Sequence, residues 1–260
     1  MTKTEILTRY CVDAASRLAL ARVLDKAELA RTRNVPAHSQ FLTDGEQKLA
    51  DQALAAFGNP RRLFWGGYEG AERRVCVFLA DWEEEMTDDP LTALEVTPPP
   101  DARLSHRDYL GAMMGLGLNR EVLGDILVSE DRGQVVCLKT VAPALLRDWR
   151  EVGRYAVSVR EIPLEALEPG EKDVKVRRET FQSLRFDAVA AAGFGLSRAK
   201  AAALIAGGRV QLNHLPCTKP DRILEPGDSM TSKGLGKCVL ARVTGESKKG
   251  RVMAELERYT

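Results

Sequence analysis

Basic side chains recur between positions 185 and 228 at spacings suited to holding a phosphate. Ser197 stands where a helix N-cap belongs, and Arg198, Ala199 and Lys200 follow it before an apolar run over 201–206 that Gly207 and Gly208 end. A helix N-terminus carries partial positive charge and normally recruits Asp or Glu into its first turn. Here that turn holds two cations instead, a conflict that a bound phosphate would relieve. After the glycine pair, Arg209-Val210-Gln211-Leu212-Asn213 alternates: Val210 and Leu212 face a core, and Arg209, Gln211 and Asn213 face outward. Farther on, Lys219 precedes Pro220, while Lys233 and Lys237 flank Gly234-Leu235-Gly236, where small residues let the backbone approach an anion.

These side chains need a scaffold, and the pattern supplies a compact one. Arg185-Phe186-Asp187 opens a helix through 188–192 with Gly193 as its expected stop, and the Ser197 helix comes next. The strand at 209–213, a turn at His214-Leu215-Pro216, a return from Thr218-Lys219-Pro220 and a turn at Glu225-Pro226-Gly227-Asp228 complete a hairpin. Alternation at Val239, Ala241 and Val243 and at Val252, Ala254 and Leu256 predicts two more strands, with the basic run Lys248-Lys249-Gly250-Arg251 between them.

Residues 175–260 hold 16 Lys and Arg against 8 Asp and Glu, a net of +8, leaving 22 against 29 and a net of −7 for 1–174. The near-neutral whole, +1, conceals this split. A cationic module of this kind attracts a polyanion with an affinity that falls as salt rises.

The order helix, turn, helix, strand, hairpin, carried by Arg185-Phe186-Asp187, Gly195-Leu196-Ser197-Arg198-Ala199-Lys200-Ala201, Leu204-Ile205, Gly208-Arg209-Val210, Asn213, Lys219-Pro220 and Pro226-Gly227-Asp228, resembles the RNA-binding module named after ribosomal protein S4. Phe186 stands where that family more often has Leu, and His214 where Gly is common. By this resemblance the phosphate-facing residues are Arg185, Ser197, Arg198, Lys200, Arg209, Asn213 and Lys219, with Asn213 equally suited to stabilising the hairpin turn. Lys233 and Lys237 extend the expected RNA-binding set on their charge and setting alone.

Upstream, strand patterns at 91–96, 125–128, 134–138 and 154–162 and helix patterns at 105–116 and 140–152 give the order β-α-β-β-α-β of a ferredoxin-like, RRM-like fold. The first helix is expected to turn Tyr109, Met113 and Leu116 inward. Nearer the N-terminus, 5–30 reads as one helix through Ile6, Tyr10, Ala14, Leu18 and Ala21, and Thr43-Asp44-Gly45-Glu46 is a capping box ahead of a helix that ends by Asn59-Pro60. The glycine- and arginine-rich segment 64–74 reads as a structural hairpin, and the acidic run 81–89 as solvated surface. The expected fold class is α+β, with a mainly helical domain over 1–75, an RRM-like domain over 76–170 and an S4-like RNA-binding domain over 180–260.

Taken together, Phe41-Leu42-Thr43, Gly66-Gly67-Tyr68-Glu69-Gly70-Ala71-Glu72-Arg73, Arg107-Asp108-Tyr109-Leu110-Gly111-Ala112 and 115–126 (Gly-Leu-Gly-Leu-Asn-Arg-Glu-Val-Leu-Gly-Asp-Ile) resemble the bacterial YlmH family over nearly the whole chain. Where that family tends to have Arg-Gly-x-Gly-Arg, this chain has Lys233 and Lys237, which keep the charge and lose bidentate gripping. The resemblance implies a non-enzymatic RNA-binding protein of the translation apparatus. Its implied partners are ribosomal RNA, tRNA and the large ribosomal subunit carrying peptidyl-tRNA after translation stalls, with cell-division proteins as a further link.

An RNA-modifying enzyme and a cell-division adaptor are the competing readings. No glycine-rich cofactor loop follows a strand, and neither Asp108 nor Asp125 has the setting of a pseudouridine synthase aspartate. His38, His106 and His214 are isolated, so neither a metal nor another cofactor is expected. Cys11, Cys76, Cys137, Cys217 and Cys238 are odd in number and widely spaced, which predicts reduced thiols and a cytoplasmic setting, and the apolar runs fall short of the ~20 residues a membrane span needs.

Overall fold

The computed structural model describes residues 1–11, 13–170, 174–213, 215–247 and 250–259, so the expectations placed on His214, Lys248 and Lys249 lie outside the described residues. The chain divides into two compact units, Met1–Gly170 and Glu171–Thr260.

In the first unit α1 (Lys3–Tyr10) and α2 (Ala14–Arg33) replace the single helix expected over 5–30. Asp13 is the reason: its carboxylate accepts from the Ser16 backbone N–H at 2.8 Å and starts a new helix, as Thr2 does for α1. The restart changes the buried face. Leu20, Val23, Leu24 and Ala27 pack inward, whereas Leu18 is exposed. After β1 (Ala37–His38), the capping box at Thr43 opens α3 (Asp44–Ala56) as expected. β2 (Arg62–Trp65) and β3 (Val75–Phe78) form the hairpin foreseen for 64–74, in a three-stranded sheet ordered β1-β3-β2. The expected division at 75/76 falls inside β3.

The next elements are β4 (Leu91–Thr97), α4 (His106–Gly115), β5 (Leu123–Val128), β6 (Gly133–Leu138), α5 (Ala142–Asp148), β7 (Glu151–Val152), β8 (Tyr155–Ala156) and β9 (Ser158–Ile162). The four long strands lie in the order β5-β6-β4-β9, all antiparallel, which is ferredoxin-like topology. α5 is shorter than the helix expected over 140–152, because the chain leaves it at Trp149 for the small β7–β8 hairpin. Tyr109 and Met113 are buried, but Leu116 lies past the helix end and is exposed.

Both faces of this sheet are covered. Leu94, Val96, Val135 and Cys137 pack with Tyr109, Met113, Leu145 and Trp149 of the helical layer. On the opposite face Leu91, Ala93, Val136 and Leu138 pack with Phe41, Val75 and Val77, so the small N-terminal sheet closes the side on which many RRM-like folds lay single-stranded RNA.

The second unit runs β10 (Val174–Phe181), α6 (Phe186–Phe194), α7 (Arg198–Ala206), β11 (Val210–Leu212), β12 (Leu215–Pro216), β13 (Ser229–Ser232), β14 (Gly236–Glu246) and β15 (Val252–Tyr259). Its sheet is ordered β10-β15-β14-β13-β11-β12, and α6 and α7 pack on a core of Phe186, Val189, Ile205, Met230, Leu240 and Leu256. Gly193 does not stop α6. The helix continues to Phe194, and Gly195 ends it in the left-handed region at φ 68°. Gly193 instead lets α6 approach β14, since a Cβ there would lie 2.5 Å from Cys238 Sγ. On β14 the core-facing residues are Cys238 and Leu240 rather than Val239, Ala241 and Val243, and irregular pairing beyond Leu240 carries the strand's far end into solvent.

Candidate nucleic-acid interface

Ser197 caps α7, its hydroxyl accepting from the Lys200 backbone N–H at 3.3 Å, and no acid lies in the helix's first turn. The compensating carboxylate comes from α6. Asp187, 5% exposed, accepts from Arg185 Nε at 3.2 Å, Arg185 Nη2 at 3.1 Å and Arg198 Nη2 at 3.2 Å. Burial pushes its carboxyl upward, but the hydrogen bonds from Arg185 and Arg198 outweigh that and hold it below its ordinary value. The same contact raises Arg185, whose largest influence is the Asp187 hydrogen bond. Two guanidiniums therefore share one negative charge, and the trio keeps a net +1.

Three other cations converge without such a partner. A groove of about 780 Å³ is lined by Lys200 and Leu204 of α7, Gly208, Arg209, Gln211 of β11, Thr231 and Ser232 of β13, and Lys233, Gly234 and Leu235 of the following turn. The local folding that presents Arg209 is explicit. Gly208 takes φ 66°, Arg209 N–H returns to Leu204 O at 2.9 Å, and Ser232 Oγ donates to Arg209 O at 2.9 Å. Gln211 and Thr231 face each other in register across β11 and β13. Lys200, Arg209 and Lys233 are exposed, and among the described residues no carboxylate pairs with any of them. Cationic rim, polar walls and glycine gaps give a surface able to follow an RNA backbone.

The remaining expected residues separate from this groove. Asn213 sits at the hairpin tip with φ 51°; its amide donates to Asp228 Oδ1 at 2.7 Å and its carbonyl accepts from Ser229 N–H at 2.9 Å. That geometry matches the turn-stabilising alternative. Lys219 is exposed on the loop whose Pro220 and Arg222 carbonyls accept from the first amides of α6. Lys237 parts from Lys233 and sets its ammonium 5.4 Å from the centre of the Tyr259 ring. Sequence spacing did not reveal the groove contribution of Thr231, although Gln211 had its signal in the β11 alternation and Leu235 in the glycine-flanked turn between Lys233 and Lys237.

In the first unit, Asp125 anchors the segment 66–74. Tyr68 Oη at 2.8 Å and Glu72 N–H at 2.7 Å donate to one carboxylate oxygen, and Arg73 N–H at 3.0 Å to the other. Arg73 and Arg120 donate to the backbone carbonyls of Leu123 and neighbouring residues. Burial, with Arg73 alongside, lowers Arg120 to about 10. Asp108 serves as a cap, accepting from Ser105 N–H at 2.7 Å.

Residues 90–166 match the family described as "Putative RNA-binding domain in YlmH", and residues 184–229 match the S4 domain. The chain is also 34% identical over 222 residues to the ribosome-associated protein quality control protein P2 of Bacillus subtilis (strain 168), a match covering 85% of this chain and 86% of that protein. The chain belongs to the YlmH family. The matched S4 domain spans α6, α7 and β11, which supply Lys200 and Arg209 to the groove, whereas Thr231 to Leu235 follow the matched residues; the matched central domain is the sheet with both faces covered. A solved structure, the cell division protein ylmH from Streptococcus pneumoniae, shares the fold over 61% of this chain and 98% of its own, with a TM-score of 0.51 and 22% identity.

Proposed function

We propose that this protein binds structured RNA of the translation apparatus without catalysis, gripping phosphates in the α7–β13 groove while bound to the large ribosomal subunit with its peptidyl-tRNA. The observation that carries the reading is the convergence of Lys200, Arg209 and Lys233, unpaired among the described residues, on one groove of the basic unit. The name of the Bacillus relative, ribosome-associated and concerned with quality control, supports the ribosome as the RNA's source. Arg185, Ser197 and Arg198 are proposed to flank the groove, with Arg198 held by Asp187, whereas Lys219 and Lys237 are secondary contacts. Because both sheet faces of the central domain are packed, its share of RNA contact is assigned to loops and helix surfaces. A cytoplasmic setting follows from that role.

The test is cosedimentation of the full chain with purified large and small ribosomal subunits across a salt series. The expected result is binding to large subunits that weakens with salt, and a Lys200→Glu/Arg209→Glu/Lys233→Glu variant that folds normally and no longer cosediments. Replacing the same three by Ala should make the slope of log K against log salt shallower by roughly 2 to 3, from about 0.7–0.9 per phosphate contact. Wild-type binding by the charge-reversed variant overturns the groove, and failure of the wild type to bind large subunits overturns the ribosomal role.

A further inference from the structure

The loop between β3 and β4 exposes a tryptophan that it nevertheless holds in place. Trp82 is 61% exposed, yet its indole N–H donates to Asn34 O at 3.1 Å, and the neighbouring Asp81 N–H donates to Asn34 Oδ1 at 2.8 Å. Asn34 is itself fixed, as the left-handed C-cap of α2. From below, the Arg61 guanidinium donates to the carbonyls of Ala80, Asp81 and Glu84 at 3.3–3.5 Å. Glu83, expected to be solvated with the rest of the acidic run, is 2% exposed; its carboxylate accepts from Ala80 N–H at 2.9 Å and Thr87 Oγ1 at 2.6 Å. The loop is thus tied across its width, and the buried Glu83 is the residue that turns its acidic neighbours outward.

Beside it lies a groove of about 270 Å³ whose walls include Ala30, Phe57, Pro60 and Leu79, with Asp81 at its edge. Val35, next to Asn34, is 39% exposed. Asp81, Glu84 and Glu85 are exposed, and among the described residues no cation pairs with their carboxylates. Arg31 and Arg61 also line this groove; Arg31 is engaged with Glu28 at 2.7 Å, and the Arg61 guanidinium is turned to the loop carbonyls.

We propose that Trp82 and this groove form a docking site for a basic protein segment that carries an aromatic or branched apolar side chain. A fixed, exposed Trp offers a large contact area at little cost in lost side-chain freedom, which is why Trp dominates binding hot spots. The groove accepts the apolar anchor, and three uncompensated carboxylates steer a cationic segment while repelling phosphate. The surface lies in the acidic unit and shares no residue with the α7–β13 groove.

The experiment replaces the exposed Val35, next to Asn34, by the photoreactive benzoylphenylalanine in the full chain with Trp82 left in place, crosslinks in cells and maps the attached residues by mass spectrometry. A crosslink to a protein segment of net positive charge is expected, reduced at least tenfold when Glu84→Lys and Glu85→Lys are added, with cosedimentation on large subunits unchanged. Unaltered circular dichroism melting shows that the charge-reversed chain remains folded. A crosslink to RNA, a crosslink to a neutral or acidic segment, absence of any crosslink, or persistence through charge reversal each overturns the proposal.

Discussion

Asp187→Asn tests the arrangement that sets two of the expected RNA-facing arginines. The substitution keeps the size of the side chain and the Asp187 N–H bond to Pro220 O at 2.9 Å, but it removes the charge that Arg185 and Arg198 share. The amide also has only one acceptor oxygen, so one arginine faces an N–H₂ group instead. A hydrogen bond to a charged group contributes about 1.5–3 kcal/mol, and both guanidiniums are more than a third exposed, so solvent screening reduces the net cost to about 1–2 kcal/mol. That corresponds to roughly 5- to 30-fold less protection of α6 amides against hydrogen exchange. Trp65, Trp82 and Trp149 all lie in the first unit, so the tryptophan fluorescence transition should not move, which separates this effect from general damage. The pH dependence has a definite sign. The folded carboxyl lies below its ordinary value of 3.8, so the wild-type advantage is complete above 3.8 and disappears as pH falls through the lower folded value. Equal α6 protection in the two proteins at pH 7, or a difference that fails to narrow in acid, refutes the reasoning.

Two further outcomes follow from the packing. Gly193→Ala should cost about 1–3 kcal/mol in denaturant unfolding followed by circular dichroism, because the new methyl meets Cys238 Sγ; the same change should cost less in a Cys238→Ala background, and equal costs would rule out that contact. Burial pushes the thiols of Cys76 and Cys137 up to about 12 and that of Cys238 to about 11, so iodoacetamide at pH 8 should spare all three in the native protein and reach Cys11 and Cys217, as read by peptide mass spectrometry. Modification of the buried three without denaturant would contradict the packing of the three apolar clusters that hold them.

Much of the positioning was legible because it is local. The Ser197 cap, the capping box at Thr43 and the β-α-β-β-α-β order arise from residues within a few positions of each other, where caps and side-chain period act. The charge split between the units is likewise a property of composition. The return expected from Thr218-Lys219-Pro220 is a loop instead, and β11 pairs with β12 and with the more distant β13. Other misreadings have local origins. Apolar recurrence ran through the α1–α2 break because Ile6, Tyr10, Ala14 and Leu18 keep helical spacing across a boundary that Asp13 creates. Gly193 resembled a stop because glycine fits both a helix end and a close helix–strand contact.

The sequence by itself determined that a cationic helix-pair module with outward-facing Arg209 and Gln211 ends this chain, since charge and alternation survive any arrangement of the elements. Only the tertiary structure decided which cations stay unpaired. Asp187 reaches Arg198 across eleven positions, Lys233 and Lys237 part to different neighbours, and the small N-terminal sheet closes the central sheet's second face. A side chain's charge is written in the sequence, but whether that charge meets RNA, a carboxylate or an aromatic ring depends on what the fold brings within a few ångströms of it.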